Sequence, residues 1–439
     1  MTGEDTTAAR AAGPPTALEL VTLHALAWLV TGTAVGLLLA LLLLAPGLGA
    51  LLGPFGYGRW MPLHMDLLLY GWCALPLLGM LLRLYLGPTG GSGGAVLGVH
   101  LWSAALAAGA ASWLTGSTTG KLFLDWRGAP RWLFLAALAW LAAVLLAALL
   151  RAAAADRRAP GPVEPPLGLA LRALLWLALA AVPPAMWLAT EPRTYPPINP
   201  ASGGPTGASL LGSTVGLLWI FAATPWGLAL ARPRQRRATG WFVGAAALHT
   251  ALFLALGHAD ASHHETLQIV ALASLAPWAW AVPAYLAPFD WPAAARRWLG
   301  AFLAWAAALL ATGLVAFLPG VLERTKFTNG LVAHAHVAMA GMASAFAALL
   351  LATLGRDGRL AAVFARRDRF WSWHGGTLLQ VGALLAVGTL EAIDPGVLFR
   401  PSAAVDAFYA LRAVGGAAML AAALGWLRDT WRELGRELS

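Results

Sequence analysis

The sequence predicts an all-α polytopic membrane protein built as a bundle of twelve helices. Three observations carry that prediction. Apolar residues make up 59% of the 439 residues and charged residues only 11%, where a soluble domain carries about 25% charged residues. The mean hydropathy is +0.69. The apolar residues also gather into twelve stretches, and twelve spans of about 21 residues need roughly 250 residues, about 57% of the chain. This composition excludes an ordinary globular enzyme, a disordered chain and a disulfide scaffold.

The apolar stretches run over 19–45, 61–86, 95–115, 131–150, 167–190, 208–231, 240–257, 266–287, 298–318, 330–354, 372–391 and 404–427. Most are rich in Leu and Ala, punctuated by Gly and Pro, with polar turns between them. Such stretches are read as helices because lipid offers no partner for loose backbone groups. The chain therefore divides into an N-terminal tail (1–18), a twelve-span membrane domain (19–427) and a C-terminal tail (428–439). Residues 1–16 are polar, with Glu4, Asp5 and Arg10, and do not form a signal peptide. No linker long enough to separate soluble domains is present, nor any repeat of fixed period.

The net charge of +9 arises from 29 basic and 20 acidic residues. In a membrane protein Lys and Arg mark the cytoplasmic side. With the N-terminus inside, nineteen of the 29 fall in cytoplasmic segments and eight in outer ones, while Arg172 and Arg412 lie within spans. Both termini are thus expected in the cytoplasm, as for a bacterial inner-membrane protein. The basic clusters read as topology determinants and lipid contacts, and nucleic acid is not an expected partner. The single cysteine, Cys73, allows no disulfide within the chain, and no C-x-x-C-H motif is present for covalent haem.

The histidines carry the chemical information. His64 opens the second stretch, His258 closes the seventh, His263, His264 and Glu265 lead into the eighth, and His334 and His336 stand in the first turns of the tenth. All six histidines fall toward the outer face. His249 falls near the middle of its stretch, and His24, His100 and His374 fall toward inner ends, where a lone histidine is expected to be a satisfied side chain. A helix turns about 100° per residue, so His334 and His336 point about 200° apart. One A-H-A-H segment can then serve two haems on opposite faces of a single helix, and His64 can supply a second axial ligand to one of them. A haem with two histidines is full and suits electron transfer, whereas a haem with one keeps an open face for a gas. His258, His263, His264 and Glu265 together offer an inventory that could bind iron, copper or zinc; the alternative is a solvated turn capping the eighth span.

Four segments, taken in order, carry a resemblance: G-R-W-M-P-L-H (58–64), G-S-T-T-G-K (116–121), F-T-N-G-L-V-A-H-A-H-V-A-M-A-G (327–341) and A-L-R-A-V-G-G (410–416). They resemble the catalytic subunit of the haem–copper oxidase superfamily, in its cbb-type oxidase and nitric oxide reductase branch. The resemblance covers most of the chain and implies a haem–copper oxidase-like bundle. It implies that His64 and His336 hold a low-spin haem b, that His334 is the proximal ligand of a high-spin haem, and that the haems lie toward the outer face. It implies further that Arg59 and Arg412 meet haem propionates. Asp125 falls near a family position that helps hold calcium, although the neighbouring family acid is Leu122 here.

The chain also departs from the family pattern. The family places copper or non-haem iron beside the high-spin haem, held by one His in the sixth span and a His-His pair at the end of the seventh. The sixth span here has no His, and Ser213 stands at the expected position. His258 matches the first of the pair, and Ala259 replaces the second. The oxidase tyrosine and the reductase glutamates are missing as well. The expectation is a respiratory-chain haem protein fed by a separate c-type cytochrome or by quinol, with its second metal lost or altered. Two alternatives stay open: an active oxidase or nitric oxide reductase with an unusual metal site, and a twelve-span transporter without haem, for which Asp66 is the best buried ionisable residue.

Overall fold

The computed structural model describes residues 15–91, 93–158, 166–191, 207–256, 262–355 and 359–435. Twelve helices are long and apolar enough to cross a membrane. They are α1 (Ala17–Leu44), α2 (Tyr57–Leu86), α3 (Gly93–Leu114), α4 (Gly128–Arg158), α5 (Gly168–Thr190), α6 (Ser209–Gly227), α7 (Pro233–Leu256), α8 (Thr266–Leu286), α9 (Ala293–Ala316), α10 (Asn329–Leu354), α11 (Arg367–Ile393) and α12 (Ala403–Gly435). No β-strand occurs among the described residues. The all-α polytopic architecture expected from composition is therefore present.

Some helices run beyond their apolar stretches, while α6 stops short of its stretch, at Gly227. α4 runs on to Arg158 and α12 to Gly435. The alanines 152–155 favour helix, and the arginines in the last turns suit the negative end of the helix dipole. The segment 428–435 continues α12 as helix. At the other terminus Thr16 and Glu19 form a reciprocal cap: the Thr16 hydroxyl accepts from the Glu19 N–H at 3.3 Å, and the Glu19 carboxylate accepts from the Thr16 N–H at 2.9 Å. That cap starts α1 at Ala17, two residues before the expected boundary.

The hub is α10. Of its apolar window 83% is buried, against 6% for α5 and 11% for α7, which face outward. α10 packs against α2, α9 and α11. Its start is fixed from α11: the Glu391 carboxylate accepts from the backbone N–H of Asn329 at 2.6 Å and from its side-chain amide at 3.1 Å. This satisfies helix N-terminal donors that lipid would leave bare. The approach of α11 to α10 needs glycine at 388, because a Cβ there would sit 2.1 Å from the Gly330 nitrogen.

α2 and α10 share a local feature. Each contains a π-helical stretch, Leu67–Cys73 and Val337–Ala343, beginning within three residues of His64 and directly after His336. A π turn displaces the backbone ladder and leaves carbonyls in need of donors. Indole N–H groups supply them: Trp102 donates to Tyr70 O at 3.0 Å and Trp373 donates to Ala340 O at 3.0 Å. The Ser344 hydroxyl donates to Met339 O at 2.8 Å while accepting from Trp72 of α2 at 2.9 Å. The two π stretches are thereby bonded to each other through Ser344.

Replacing Gly388 with Val is expected to destabilise the bundle by about 1–3 kcal/mol or more through overpacking at the α10–α11 contact. Thermal unfolding in detergent reads this as a lowered midpoint; an unchanged midpoint would show that the contact is not tight.

Candidate functional site

The site is built from groups at one end of the bundle, where even-numbered spans begin and odd-numbered spans end. His64 lies in the second turn of α2 and His336 in the second turn of α10. Their rings face each other with centroids 6.5 Å apart and planes 26° from parallel. In each ring Nδ1 is tied to a backbone carbonyl, Gly32 O for His64 and Val332 O for His336, both at 2.8 Å. A carbonyl only accepts, so Nδ1 carries the proton and each Nε2 keeps its lone pair. A metal bound by two imidazoles at roughly 2.0–2.1 Å each, with each centroid about 1.1 Å behind its nitrogen, separates the centroids by roughly 6.2–6.4 Å. The observed centroid spacing of 6.5 Å is close to that value. Gly36 in α1 makes room for this pose, since a Cβ there would lie 2.5 Å from His64 Cε1.

His334 points away from this pair, toward α9. Its Nδ1 lies 3.0 Å from the Thr312 hydroxyl. That hydroxyl spends its proton on Ala308 O at 2.8 Å, so it accepts from His334, whose Nε2 lone pair is free. His334 borders a cavity of about 430 Å³ between α2, α6, α8, α9 and α10, within the roughly 300–1,000 Å³ range of cofactor sites. Its walls are mainly apolar. Besides His334, the polar groups among the described lining residues are Ser213, Thr214, Cys73 and the Trp278 indole, whose Nε1 is buried without a partner. The Ser213 hydroxyl donates to Ser209 O at 3.1 Å. No second imidazole and no carboxylate is among these lining residues. His258 and Ala259 lie outside the described residues.

Arg412 of α12 is buried, with Nε unpartnered, and interacts electrostatically with His64 and His336 and with Tyr57 and Tyr409. Among the described residues it has no ion pair. An unpaired buried guanidinium calls for an anion. Arg59 lies with its guanidinium against Gly116 and so joins the 58–64 segment to the 116–121 loop.

That loop has its own fastening. Asp125 Oδ1 accepts from the N–H groups of Thr119 at 3.2 Å and Gly120 at 3.1 Å. Burial raises the Asp125 pKa, and those N–H donors oppose the shift. Asp66 of α2 is fully buried beside Asp125, while Leu122 is exposed. Lys121 is buried, which lowers its pKa while Glu191 opposes the shift. Its ammonium donates to Ala189 O at 2.5 Å and Glu191 O at 2.9 Å, at the end of α5. The Asp125 carboxylate is thus engaged in holding the loop, and Lys121 in capping α5.

The eighth-span cluster assembles differently from its sequence order. His263 Nε2 and His264 Nε2 lie 2.8 and 2.6 Å from Glu323 Oε1. Glu323 belongs to a short helical turn, Leu322–Thr325, between α9 and α10. Glu265 is exposed, stands at the N-cap of α8 and is outside the group. The other four histidines are engaged by neighbours. His24 bonds Ser103 at 2.6 Å and lies with its centroid 5.1 Å from that of His100, His249 Nε2 meets Ser274 O at 2.9 Å, and His374 Nδ1 accepts from Trp305 at 3.0 Å.

Thr312, Gly36, Glu391 and Glu323 are the participants that sequence reasoning did not find. Each is 22 to 62 residues from its partner or on another span. Only the Thr and Gly within otherwise apolar helix offered a faint signal. No protein-family model matches the chain, and no curated protein matches it.

Lys121→Met is expected to leave the Ala189 and Glu191 carbonyls without their buried donor. The penalty is about 1–3 kcal/mol, read as a lower thermal midpoint; full stability in this variant would show the carbonyls to be satisfied by water.

Proposed function

We propose that the chain is a membrane electron-transfer protein that holds two haems of b type and resembles the catalytic subunit of haem–copper oxidases without their usual second-metal ligands. The observation that carries this reading is the pair His64 and His336 on separate spans, with ring centroids 6.5 Å apart and each Nδ1 tied to a backbone carbonyl so that Nε2 keeps its lone pair. Three features fit the same group. His334 presents a third free Nε2 on the opposite side of α10, the cavity beyond it is roomy and apolar, and Arg412 is a buried cation suited to a propionate.

When bound, haem supplies reversible one-electron chemistry at a six-coordinate iron and a gas-binding position at a five-coordinate one. The protein's part is positional. Gly32 and Val332 fix the ring orientations of His64 and His336, and Thr312 fixes that of His334. Arg412 offsets the charge of a propionate, and the apolar cavity excludes water from the open face. The charge asymmetry of the loops supports an outer location for this end of the bundle, where a separate c-type cytochrome or quinol would reach it. The described cavity wall gives a second metal no imidazole beyond His334, which argues for gas binding over reductive cleavage of dioxygen.

Purified protein is expected to contain two b haems per chain by pyridine haemochrome assay and no stoichiometric copper. The reduced spectrum should show a sharp bis-histidine band plus a component that shifts with CO. His334→Ala should remove the CO-reactive component and keep the sharp band, and His336→Ala should do the reverse. Protein without a haem band would overturn the reading and favour transport; one copper per chain with rapid dioxygen turnover would restore the active-oxidase alternative. A Gly36→Val chain is expected to lose the bis-histidine band alone, because the added methyl groups meet the His64 ring.

A further inference from the structure

We propose that His263, His264 and Glu323 form a binding site for a divalent transition metal ion of the zinc or copper(II) class, separate from the haem site. The ligand atoms of these three residues lie within 4.8 Å of one another. They come from two segments, the turn before α8 and the helical turn before α10, so the fold brings them together. His263 and His264 are tilted against each other, with ring centroids 4.3 Å apart, and both direct Nε2 at one carboxylate oxygen.

The donor set decides the class of ion. Two imidazole nitrogens and one carboxylate oxygen suit zinc, copper(II) and their neighbours, whereas calcium and magnesium prefer oxygen throughout. Three protein ligands at a partly exposed place leave a position for water or a further donor. The support around the ligands is of the kind metal sites use. Glu323 Oε2 accepts the Gly320 N–H at 2.6 Å, which orients the carboxylate and leaves Oε1 to the imidazoles. The His263 ring is only 7% exposed and is held by packing, with no protein acceptor at its Nδ1 among the described residues.

The geometric adjustment is small. Ligands of a tetrahedral ion with bonds of roughly 2.0–2.2 Å stand roughly 3.3–3.6 Å apart. The two present contacts of 2.6 and 2.8 Å need to open by less than the width of an atom. A bound ion would staple the turn before α8 to the segment entering α10, a few residues ahead of Asn329. The site does not depend on the haem reading.

The test uses the untagged full-length chain in detergent, stripped with chelator and titrated with zinc chloride by calorimetry. Cobalt(II) chloride serves as the optical probe. One zinc per chain is expected, undisturbed by excess magnesium or calcium chloride, together with the visible bands of low-coordinate cobalt. His264→Ala removes an exposed ring and Glu323→Gln keeps the shape of the side chain, so neither threatens the fold. Each is expected to weaken zinc binding by about tenfold or more, a loss that changes around metal ligands commonly produce. Any haem absorption should stay unchanged in both variants, which separates this site from the proposed haem ligands. Absence of zinc binding by the unaltered chain, or equal affinity in the double variant, would overturn the assignment.

Discussion

A buried imidazole inside a membrane has two nitrogens to satisfy and no water to help, and the site end of the bundle is organised by that constraint. His64, His336 and His334 each settle one nitrogen locally, on a carbonyl or on a hydroxyl whose proton is already committed. Each is left with an outward-facing lone pair. Three unmatched lone pairs and an unpaired guanidinium on Arg412 at one end of a hydrophobic bundle are expensive unless something arrives to use them. His249 shows the contrast: both of its ring nitrogens lie near backbone carbonyls, Nδ1 at 3.3 Å from Ala245 O and Nε2 at 2.9 Å from Ser274 O.

The placement of these lone pairs depends on α10. Two residues of separation turn His334 and His336 to opposite sides, but the helix must also be held in one rotation about its axis. Glu391 fixes its first turn, the Gly388–Gly330 contact fixes its distance from α11, and the π stretch after His336 is locked by Trp373 and by Ser344. Ser344 also receives Trp72, so a rotation of α2 that moved His64 would strain the bond that steadies α10. The facing pair is thus set by contacts on both sides of the histidines, at the first turn of α10 and about one to two turns deeper.

The span count was legible because the hydrocarbon thickness imposes a minimum apolar length, and twelve such lengths stand out in the chain. The opposed directions of His334 and His336 were legible because helical pitch alone determines them. What sequence could not provide was partnership across distance. Glu265 follows His264 directly and was the natural third member of the eighth-span cluster, yet the turn sends it to the N-cap of α8 and Glu323 arrives from sixty residues away. Lys121 and Asp125 belong to a loop whose motif carried the resemblance, and their side chains are engaged in holding that loop and α5 together. The π stretches L-L-L-Y-G-W-C and V-A-M-A-G-M-A have no local signature, because they form in response to indole and hydroxyl donors on other helices.

The chemistry open to the proposed five-coordinate haem follows from what lines its cavity. Cleaving dioxygen or coupling two nitric oxide molecules requires several electrons and protons delivered to one place, and a second metal or an ionisable side chain is the usual means of delivery. Ser213 has its hydroxyl turned back to Ser209, Thr214 and Cys73 are poor ligands for copper at neutral charge, and the rest of the described wall is hydrocarbon and indole. Such a wall lets a diatomic gas dissolve and remain, while offering it little polarisation and few protons. On the proposed reading, such a wall suits holding a diatomic gas and supplies no group, among the described residues, for its rapid reduction.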